Sequence, residues 1–332
     1  MNILIVKLSS LGDVIHAMPA VQDMRSALPQ ARIDWVVDSA FAPLVHRCDG
    51  VDTVIGCALR RWRQSPLGAQ TGLEWRAFRA ALRHSSYDAV IDLQGLTKSA
   101  LVSRAAWLTV GGKRYAMANQ TEGSSYEAPT RWVADVAIRI EPHVHAVARS
   151  RELCARALGY EIPPALRFGL SAIAVAASPE DADPASCVVL VLGTSRADKC
   201  WPESHWIELG RALVAQGFHV GLPHGDDSER ERCERLAQAL GSGAQVWPRL
   251  DLGRLTDRLA ACAGVIGVDS GLSHIAVALD LPHVQIYNFD TAWRTGPVSA
   301  AAGAPRQLAV YAQPTPGVEA VWQAWCQVKA PR

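Results

Sequence analysis

Residues 1–28 read MNILIVKLSSLGDVIHAMPAVQDMRSAL and contain the pattern that sets the fold class. The β-branched run Ile3–Leu8 predicts a buried strand, and the apolar spacing over Val14–Leu28 predicts a helix. The polar turn Lys7–Val14 (KLSSLGDV) connects them. A strand, a polar turn and a helix in this order are typical of a doubly wound parallel α/β sheet.

The same alternation continues along the chain. In the first half, it predicts strands at Ile33–Val37, Thr53–Cys57, Ala89–Leu93 and Thr109–Gly111, and helices at Leu73–His84, Ser99–Ala106 and Ala146–Leu158. Residues 115–130 predict a loop, and residues 171–186, rich in small residues and proline, predict a domain boundary. The alternation restarts at Val188–Leu192, and an amphipathic stretch, Gly317–Val328, ends it. We therefore expect two α/β domains, at 1–170 and 185–315, followed by a C-terminal helix within 316–332.

The composition excludes several classes of protein. The chain has 332 residues, 33 Lys and Arg and 32 Asp and Glu, for a net charge of +1. Residues 1–166 carry +4 and residues 167–332 carry −3. A 49% hydrophobic fraction excludes a disordered chain, and the near-zero charge argues against nucleic acid as a partner. Eight cysteines without a C-x-x-C motif, and an N-terminus typical of a first strand, predict a reduced, cytoplasmic protein.

The polar turn after the first predicted strand places Asp13 and Gly12 where ligands bind in doubly wound sheets, at the carboxyl ends of strands. A purely structural alternative makes Asp13 the N-cap of the helix at 14–28. A second turn, Asp92–Ser99 (DLQGLTKS), should lie at the same sheet edge and bring Gln94 and Lys98 to the same place. Asp92 could equally cap a strand end or a helix.

Two polar turns in the second half are suited to phosphate. Thr194, Ser195 and Lys199 provide hydroxyls and an ammonium group after one strand, although Lys199 could also be solvated. Gly267–His274 (GVDSGLSH) follows another strand and begins a helix, where free amides attract anions. Asp269 and Ser270 could be caps, and His274 a structural histidine. Two such turns in one domain indicate a diphosphate, as in a nucleotide sugar.

The densest basic cluster is Arg60-Arg61-Trp62-Arg63. Arginine forks at this density fit a partner with several anionic groups. The alternative is a solvated loop. The chain has no G-x-G-x-x-G or Walker A motif, which argues against an NAD oxidoreductase and a P-loop enzyme.

Six stretches of the chain resemble the lipopolysaccharide heptosyltransferases of glycosyltransferase family 9. They are VKLSSLGDVIHAMPA (6–20), RRWR (60–63), YDAVIDLQGLTKSA (87–100), RELCARALGY (151–160), DKCWPESHW (198–206) and VDSGLSHIAVALD (268–280). The chain departs from the family at Ser270, where Thr is usual, and at 287–291, where YNFDT replaces a Tyr-Gly-x-Thr pattern. The segment 115–145 matches poorly, so acceptor residues there stay unassigned.

The resemblance implies a GT-B fold, with two Rossmann-like domains facing a central cleft and the C-terminal helix packing back on the N-terminal domain. It implies transfer of L-glycero-D-manno-heptose from ADP-heptose to the Kdo of Kdo2-lipid A, with inversion and without a metal or cofactor. The first domain would hold the acceptor and the second the donor. The enzyme would work in the cytoplasm, peripherally on the inner membrane.

The resemblance also implies roles for individual residues. Asp13 would be the general base, and Lys199 would stabilise the leaving diphosphate. The donor would be bound by Thr194, Ser195, Lys199, Glu229, Asp269, Ser270, Gly271 and His274. The acceptor would be bound by Lys7, Ser10, Gly12, Arg60, Arg61, Arg63, Gln94 and Lys98. Alternatives from the same sequence are a family 9 enzyme with another core acceptor, a nucleotide-sugar epimerase, and a nucleotide-sugar-binding module without turnover.

Overall fold

The computed structural model describes residues 1–174, 184–194, 196–298 and 305–329, in two units, Met1–Leu170 and Ser171–Arg332. The strands of the first unit are β1 Asn2–Val6, β2 Arg32–Asp38, β3 Thr53–Cys57, β4 Ser86–Asp92, β5 Trp107–Met117 and β6 Val136–Ile138. Its helices are α1 Leu11–Ala27, α2 Ala42–Val45, α3 Leu59–Gln64, α4 Ala69–Leu82, α5 Thr97–Ala105, α6 Pro129–Val133 and α7 Ala146–Leu158.

The described part of the second unit repeats this alternation. Its strands are β7 Cys187–Val191, β8 His219–Leu222, β9 Ala244–Val246, β10 Gly264–Val268, β11 His283–Tyr287 and β12 Gln307–Tyr311. Its helices are α8 Glu203–Ala215, α9 Asp227–Leu240, α10 Leu252–Ala260, α11 Gly271–Ala278, α12 Ala292–Thr295 and α13 Val318–Val328. Short 3₁₀ turns lie at Pro184–Ser186, Ala197–Lys199 and Gly241–Gly243.

Both sheets are parallel and have the same strand order. The order is β3-β2-β1-β4-β5-β6 in the first unit and β12-β11-β10-β7-β8-β9 in the second. In each sheet, successive strands are added on one side first and then on the other. The order switches between the neighbouring strands β1 and β4 in the first sheet, and between β7 and β10 in the second. Doubly wound sheets bind ligands at this switch point. The predicted α/β class with two Rossmann-like parallel sheets is confirmed.

The central strands are hydrophobic because both of their faces are covered by helices. Ile3, Leu4, Ile5 and Val6 of β1 are fully buried, and every residue of β7, β10 and β11 is buried. Continuous apolar runs are the reason that β1, β7 and β10 could be predicted, whereas β11 includes the buried polar residues His283 and Gln285. The short edge strands β6, β9 and β12 were not predicted.

The predicted loop at 115–130 was wrong at both ends. Strand β5 continues through Met117 because its residues 113–116 pair with Ala89–Asp92 of β4. Helix α6 begins at Pro129, a residue favoured in the first turn of a helix.

Helix α13 packs on the second unit, against β11, β12 and α8. Val321, Ala324, Trp325 and Val328 form its buried stripe, and the Trp325 ring meets Phe218 edge to face at 5.9 Å. An amphipathic helix buries its apolar stripe in this way. The expected contact of this helix with the first domain stays a prediction. In the described ranges, no helix has the length and apolar character needed to cross a membrane.

Candidate active site

The two polar turns of the first unit lie side by side at its switch point. Strands β1 and β4 are hydrogen-bonded neighbours, with Val6 in register with Asp92. Lys7 follows β1 directly, and its Nζ donates to the carbonyl oxygen of Leu93 at 3.0 Å. The turns that the sequence predicted at one sheet edge are therefore in contact.

Asp13 is the centre of a charge cluster whose two cations are buried, while its own side chain is 34% exposed. Its Oδ1 lies 3.5 Å from Lys7 Nζ and 3.4 Å from Arg149 Nη2, and both cations are buried. Burial by itself raises the pKa of Asp13, but the charges of Lys7, Arg149 and His16 and a hydrogen bond from Ser10 outweigh it. The pKa of Asp13 is therefore held well below its ordinary value, and the carboxylate is ionised at neutral pH.

The alternative that Asp13 is the N-cap residue of the first helix was wrong, because that helix begins earlier in the chain. Helix α1 begins at Leu11, so Ser10 is the N-cap residue and Asp13 is the third helical residue. Asp13 Oδ2 accepts hydrogen bonds from the backbone N of Ser10 at 3.2 Å and from its Oγ at 3.0 Å. A carboxylate at this position supports the helix start. Asp13 thus closes the first turn with one oxygen and meets two cations with the other.

Arg149 is the residue that sequence reasoning missed. It comes from α7, which packs on α1, and its Nη1 also donates to Thr121 Oγ1 at 3.0 Å. One signal was available. Arg149 lies four residues before Leu153 on the buried stripe of a predicted helix, where a cation needs a partner.

Gln94 and Lys98 hold the first polar turn in place. Gln94 Oε1 accepts hydrogen bonds from the backbone N of Leu8 and of Ser9, both at 3.0 Å. Lys98 Nζ donates to Ser9 Oγ at 3.0 Å. Asp92 accepts from Gln94 N, at 2.8 Å, and burial raises its pKa to about 6.

The basic cluster lies in a helix and not in a loop, but its arginines are exposed to solvent, as the alternative interpretation expected. In α3, Trp62 is buried, while Arg60, Arg61 and Arg63 are exposed and line a cavity of about 1230 Å³ that Lys98 also lines. Packing of Trp62 against Phe78 of α4, with ring centroids 5.5 Å apart, holds this short helix in place. The cavity thus collects four cations at the same sheet edge as Asp13.

The three arginines differ in their partners. Arg61 Nη2 lies 2.5 Å from Glu74 Oε2. Hydrogen bonds from Gln70, Trp62 and Arg61 lower the pKa of Glu74 to about 2. Within the described part of the chain, the side chains of Arg60 and Arg63 form no ion pair or hydrogen bond.

In the second unit, Asp269 connects the two predicted phosphate turns. Lys199 Nζ lies 2.6 Å from Asp269 Oδ2, and His274 Nε2 lies 3.4 Å from Asp269 Oδ1. Thr194 Oγ1 donates to the backbone oxygen of Asp269 at 3.1 Å. Burial raises the pKa of Asp269, but His274 and Lys199 outweigh it, so the pKa is held well below its ordinary value.

Helix α11 directs its N-terminus to the same place. It begins at Gly271 with Ser270 as the N-cap residue. Ser270 Oγ is buried and has no hydrogen-bond partner among the described residues. Free amides and an orphaned hydroxyl at a helix N-terminus are suited to an anion. The predicted Ser195 lies outside the described residues.

Glu229 also reaches this edge. A Cβ on Gly193 would lie 2.1 Å from Glu229 Oε1, so the carboxylate occupies the space that a larger residue at 193 would fill. Its Oε2 accepts from the backbone N of Gly225 at 2.7 Å. The predicted donor residues of the described part of the chain therefore converge at the switch point of the second sheet.

Neither unit offers an evident metal centre in the ranges that the structure covers. No group of three or more His, Cys, Asp or Glu side chains there is arranged to hold a metal ion. The predicted independence from a metal stays a prediction.

Known proteins resemble this chain in both sequence and structure. A curated lipopolysaccharide heptosyltransferase 1 of Escherichia coli K12 is 39% identical over 289 residues, which cover 86% of this chain and 88% of that one. The structure of E. coli heptosyltransferase WaaC with ADP matches with a TM-score of 0.84 and 34% identity, over 97% of this chain and 98% of that one. WaaC with ADP-2-deoxy-2-fluoro heptose matches with a TM-score of 0.79 over the same shares.

A family model gives the same result over most of the chain. Residues 75–324 match the model of glycosyltransferase family 9 (heptosyltransferase). Together with the 39% identity to a curated relative over 86% of this chain, this match shows that the chain is a glycosyltransferase and belongs to family 9.

Proposed function

We propose that this protein is a lipopolysaccharide heptosyltransferase I. It transfers L-glycero-D-manno-heptose from ADP-heptose to the Kdo of Kdo2-lipid A, with inversion of the anomeric centre and without a metal or cofactor. The observation that carries the proposal is the Asp13 carboxylate, held ionised by Lys7 and Arg149 at the switch point of the first sheet. The names of the similar proteins, and the ADP and ADP-sugar analogue bound to one of them, support the donor.

Asp13 is the general base of this reaction. A carboxylate whose pKa is held so low is a weak base towards a free hydroxyl. The acceptor hydroxyl becomes strongly acidic as its oxygen bonds to the anomeric carbon, so its proton moves to Asp13 late in the step. The bond from the anomeric carbon to the ADP oxygen breaks as the new bond forms on the opposite face, which inverts the centre.

Lys199 stabilises the diphosphate as it leaves. Its Nζ lies 2.6 Å from Asp269 Oδ2, and this contact holds the ammonium group next to the N-terminus of α11. Thr194, Ser195, Ser270 and Gly271 provide hydroxyls and amides around the phosphate oxygens. Fixed donors at the atoms where charge develops act as a metal ion would, and they need no reorganisation during the step. His274 and Glu229 complete the donor site, with Glu229 on the ribose hydroxyls.

The cations of the first unit bind the acceptor. Arg60, Arg61 and Arg63 line one cavity with Lys98, and they face the phosphates and carboxylates of Kdo2-lipid A. Guanidinium forks match such oxygens in pairs. Ser10, Gly12, Lys7 and Gln94 shape the turn at which the Kdo hydroxyl meets Asp13. A lipid acceptor brings the enzyme to the cytoplasmic face of the inner membrane as a peripheral protein.

The test is a two-substrate assay with ADP-heptose and Kdo2-lipid A, read by mass spectrometry for the addition of one heptose. A folded protein that adds no heptose contradicts the proposal. An acceptor that already carries one heptose is the matched control, because its preference would assign the chain to a family 9 enzyme with another core acceptor. Conversion of the donor in the absence of any acceptor would indicate an epimerase, and donor binding without turnover would indicate a binding module.

A further inference from the structure

Helix α4 and the turn before it present apolar side chains to solvent. Of the fourteen residues of α4, only Phe78 and Leu82 are buried. Leu67 is 99% exposed, Leu73 is 60% exposed, and the ring of Trp75 is partly exposed. A helix of a globular protein normally turns such groups inward. The Trp75 ring does so on one side, where it packs on Trp62 and Phe78 with ring centroids 5.6 Å apart, and its other side stays exposed with Leu67 and Leu73.

An arginine stripe follows the same helix. Arg76, Arg79 and Arg83 are spaced i, i+3 and i+7, which places them on one face. Within the described residues, Arg76 and Arg79 have no ion pair or side-chain hydrogen bond. The guanidinium group of Arg83 lies 5.4 Å from the centre of the exposed Trp107 ring, and its Nε donates to the Ala105 carbonyl oxygen at 3.0 Å.

We call the exposed side chains of this helix, of the turn before it and of the neighbouring Trp107 the α4 face: Leu67, Leu73, Trp75, Arg76, Arg79, Arg83 and Trp107. The three arginines, Ala80 and Trp107 line an open groove of about 370 Å³. A groove with guanidinium groups and an indole ring at its walls is suited to a phosphate attached to an apolar body.

The local charge is far from that of the whole chain. Residues 59–84 contain six arginines and one acidic residue, Glu74, while the chain as a whole carries +1. Glu74 is already engaged by Arg61 at 2.5 Å. The positive field of this region is therefore not neutralised locally, and it attracts an extended anionic surface.

We propose that the α4 face docks on an anionic lipid bilayer. The arginines contact headgroup phosphates, while Leu67, Leu73, Trp75 and Trp107 enter the interfacial layer. Basic residues next to exposed Leu and Trp are the pattern by which helices lie on membranes. Exposed leucines gain nothing from contact with the phosphates of a nucleic acid, but they can be buried in a bilayer. This favours a lipid surface over a nucleic acid as the partner. The inference rests on the proposed peripheral membrane contact and assigns it to a surface.

The test is co-sedimentation with vesicles of phosphatidylethanolamine and phosphatidylglycerol that contain no donor or acceptor. Arg76→Gln/Arg79→Gln should weaken binding by about 30-fold, since each cation near an anionic surface contributes several-fold. The matched control, Arg211→Gln/Arg254→Gln, removes the same charge from exposed positions of the second unit and should bind as the unchanged chain does. Equal binding by the two double variants overturns the inference.

Further experiments separate the apolar contribution from the electrostatic one and test DNA as a competing partner. Leu67→Ser/Leu73→Ser should lose the binding that persists at high salt, where the arginines are screened. Equal binding to neutral phosphatidylcholine vesicles overturns the inference, as does arginine-dependent binding to a DNA duplex without vesicle binding. Both arginine double variants should transfer heptose to a short water-soluble acceptor at the unchanged rate. Vesicle binding without transfer contradicts only the proposed function, and transfer without vesicle binding contradicts only this inference.

Discussion

Replacing Asp13 with Asn should lower the rate of transfer by orders of magnitude, and it should also destabilise the first unit. Asp13 is the counter-ion of Lys7 and Arg149, which are both buried. Removing one partner of a buried ion pair typically costs about 3–5 kcal/mol, because the other charge stays buried. Loss of turnover alone would therefore not identify Asp13 as the base.

The magnitude follows from the exposure of the carboxylate. The Asp13 side chain is 34% exposed, so solvent screens part of its interaction with the two cations. We expect a loss of about 2–3 kcal/mol, which lowers the melting temperature of a unit of this size by about 5–10 °C. Loss of a general base should lower kcat by about 10²–10⁴-fold.

The pH dependence of this loss has a definite sign. Burial lowers the pKa of Lys7, and the Asp13 charge opposes this. Without Asp13, the folded protein releases the Lys7 proton more easily than the unfolded chain does. Stability rises with pH wherever the unfolded state binds more protons. The variant should therefore recover part of its stability between neutral and alkaline pH.

Asp23→Asn is the matched control. Asp23 of α1 pairs with Arg151 of α7 at 2.6 Å, so this variant breaks a buried ion pair between the same two helices. It should lower the melting temperature as well, but it should keep turnover at temperatures where it is folded. Melting curves and kcat with saturating ADP-heptose and acceptor measure both effects. Near-normal turnover by Asp13→Asn would refute the role of Asp13 as the general base. An unchanged melting temperature would refute the argument that Asp13 stabilises the buried cations Lys7 and Arg149.

Two further predictions concern the neighbouring residues. Burial raises the pKa of Asp92 from 3.8 to about 6, so its folded-state stability contribution is complete only at acidic pH and is lost as the pH rises through about 6. Asp92→Asn should therefore stabilise the protein by at most about 3 kcal/mol at pH 8 and by little at pH 4; equal melting shifts at both pH values would contradict this. Arg60→Gln/Arg63→Gln should raise the acceptor KM about tenfold or more and leave the donor KM unchanged. Arg61→Gln should do less because Glu74 already engages it, and an unchanged acceptor KM in the double variant would remove these side chains from the acceptor site.

Much of the candidate site was predictable because it is local in the chain. Lys7, Ser10 and Asp13 follow one buried strand, and Asp269, Ser270 and Gly271 follow another. A buried parallel strand is a continuous apolar run, and the polar residues after it must lie at the edge of the sheet. The type of each element and the chemistry of each turn could thus be predicted, although α1 begins three residues before its predicted start.

The partners of these residues could not be predicted in the same way. Arg149 meets Asp13 across 136 positions of sequence, because α7 packs on α1. Lys199 reaches Asp269 across 70 positions, because β7 and β10 are neighbours in the second sheet. No periodicity in the sequence records which helix covers which face of a sheet.

By itself, the sequence determined the α/β class, the two sheets and the turns that carry hydroxyls, carboxylates and cations, since strand burial and turn chemistry are local properties. Only the tertiary structure decided that Asp13 stays ionised between two cations and that burial raises the pKa of Asp92 to about 6. It also decided that Leu73 and Trp75 of the predicted helix Leu73–His84 stay exposed. The reason is that pKa and exposure depend on the groups that surround a side chain, and packing brings those groups from distant parts of the chain.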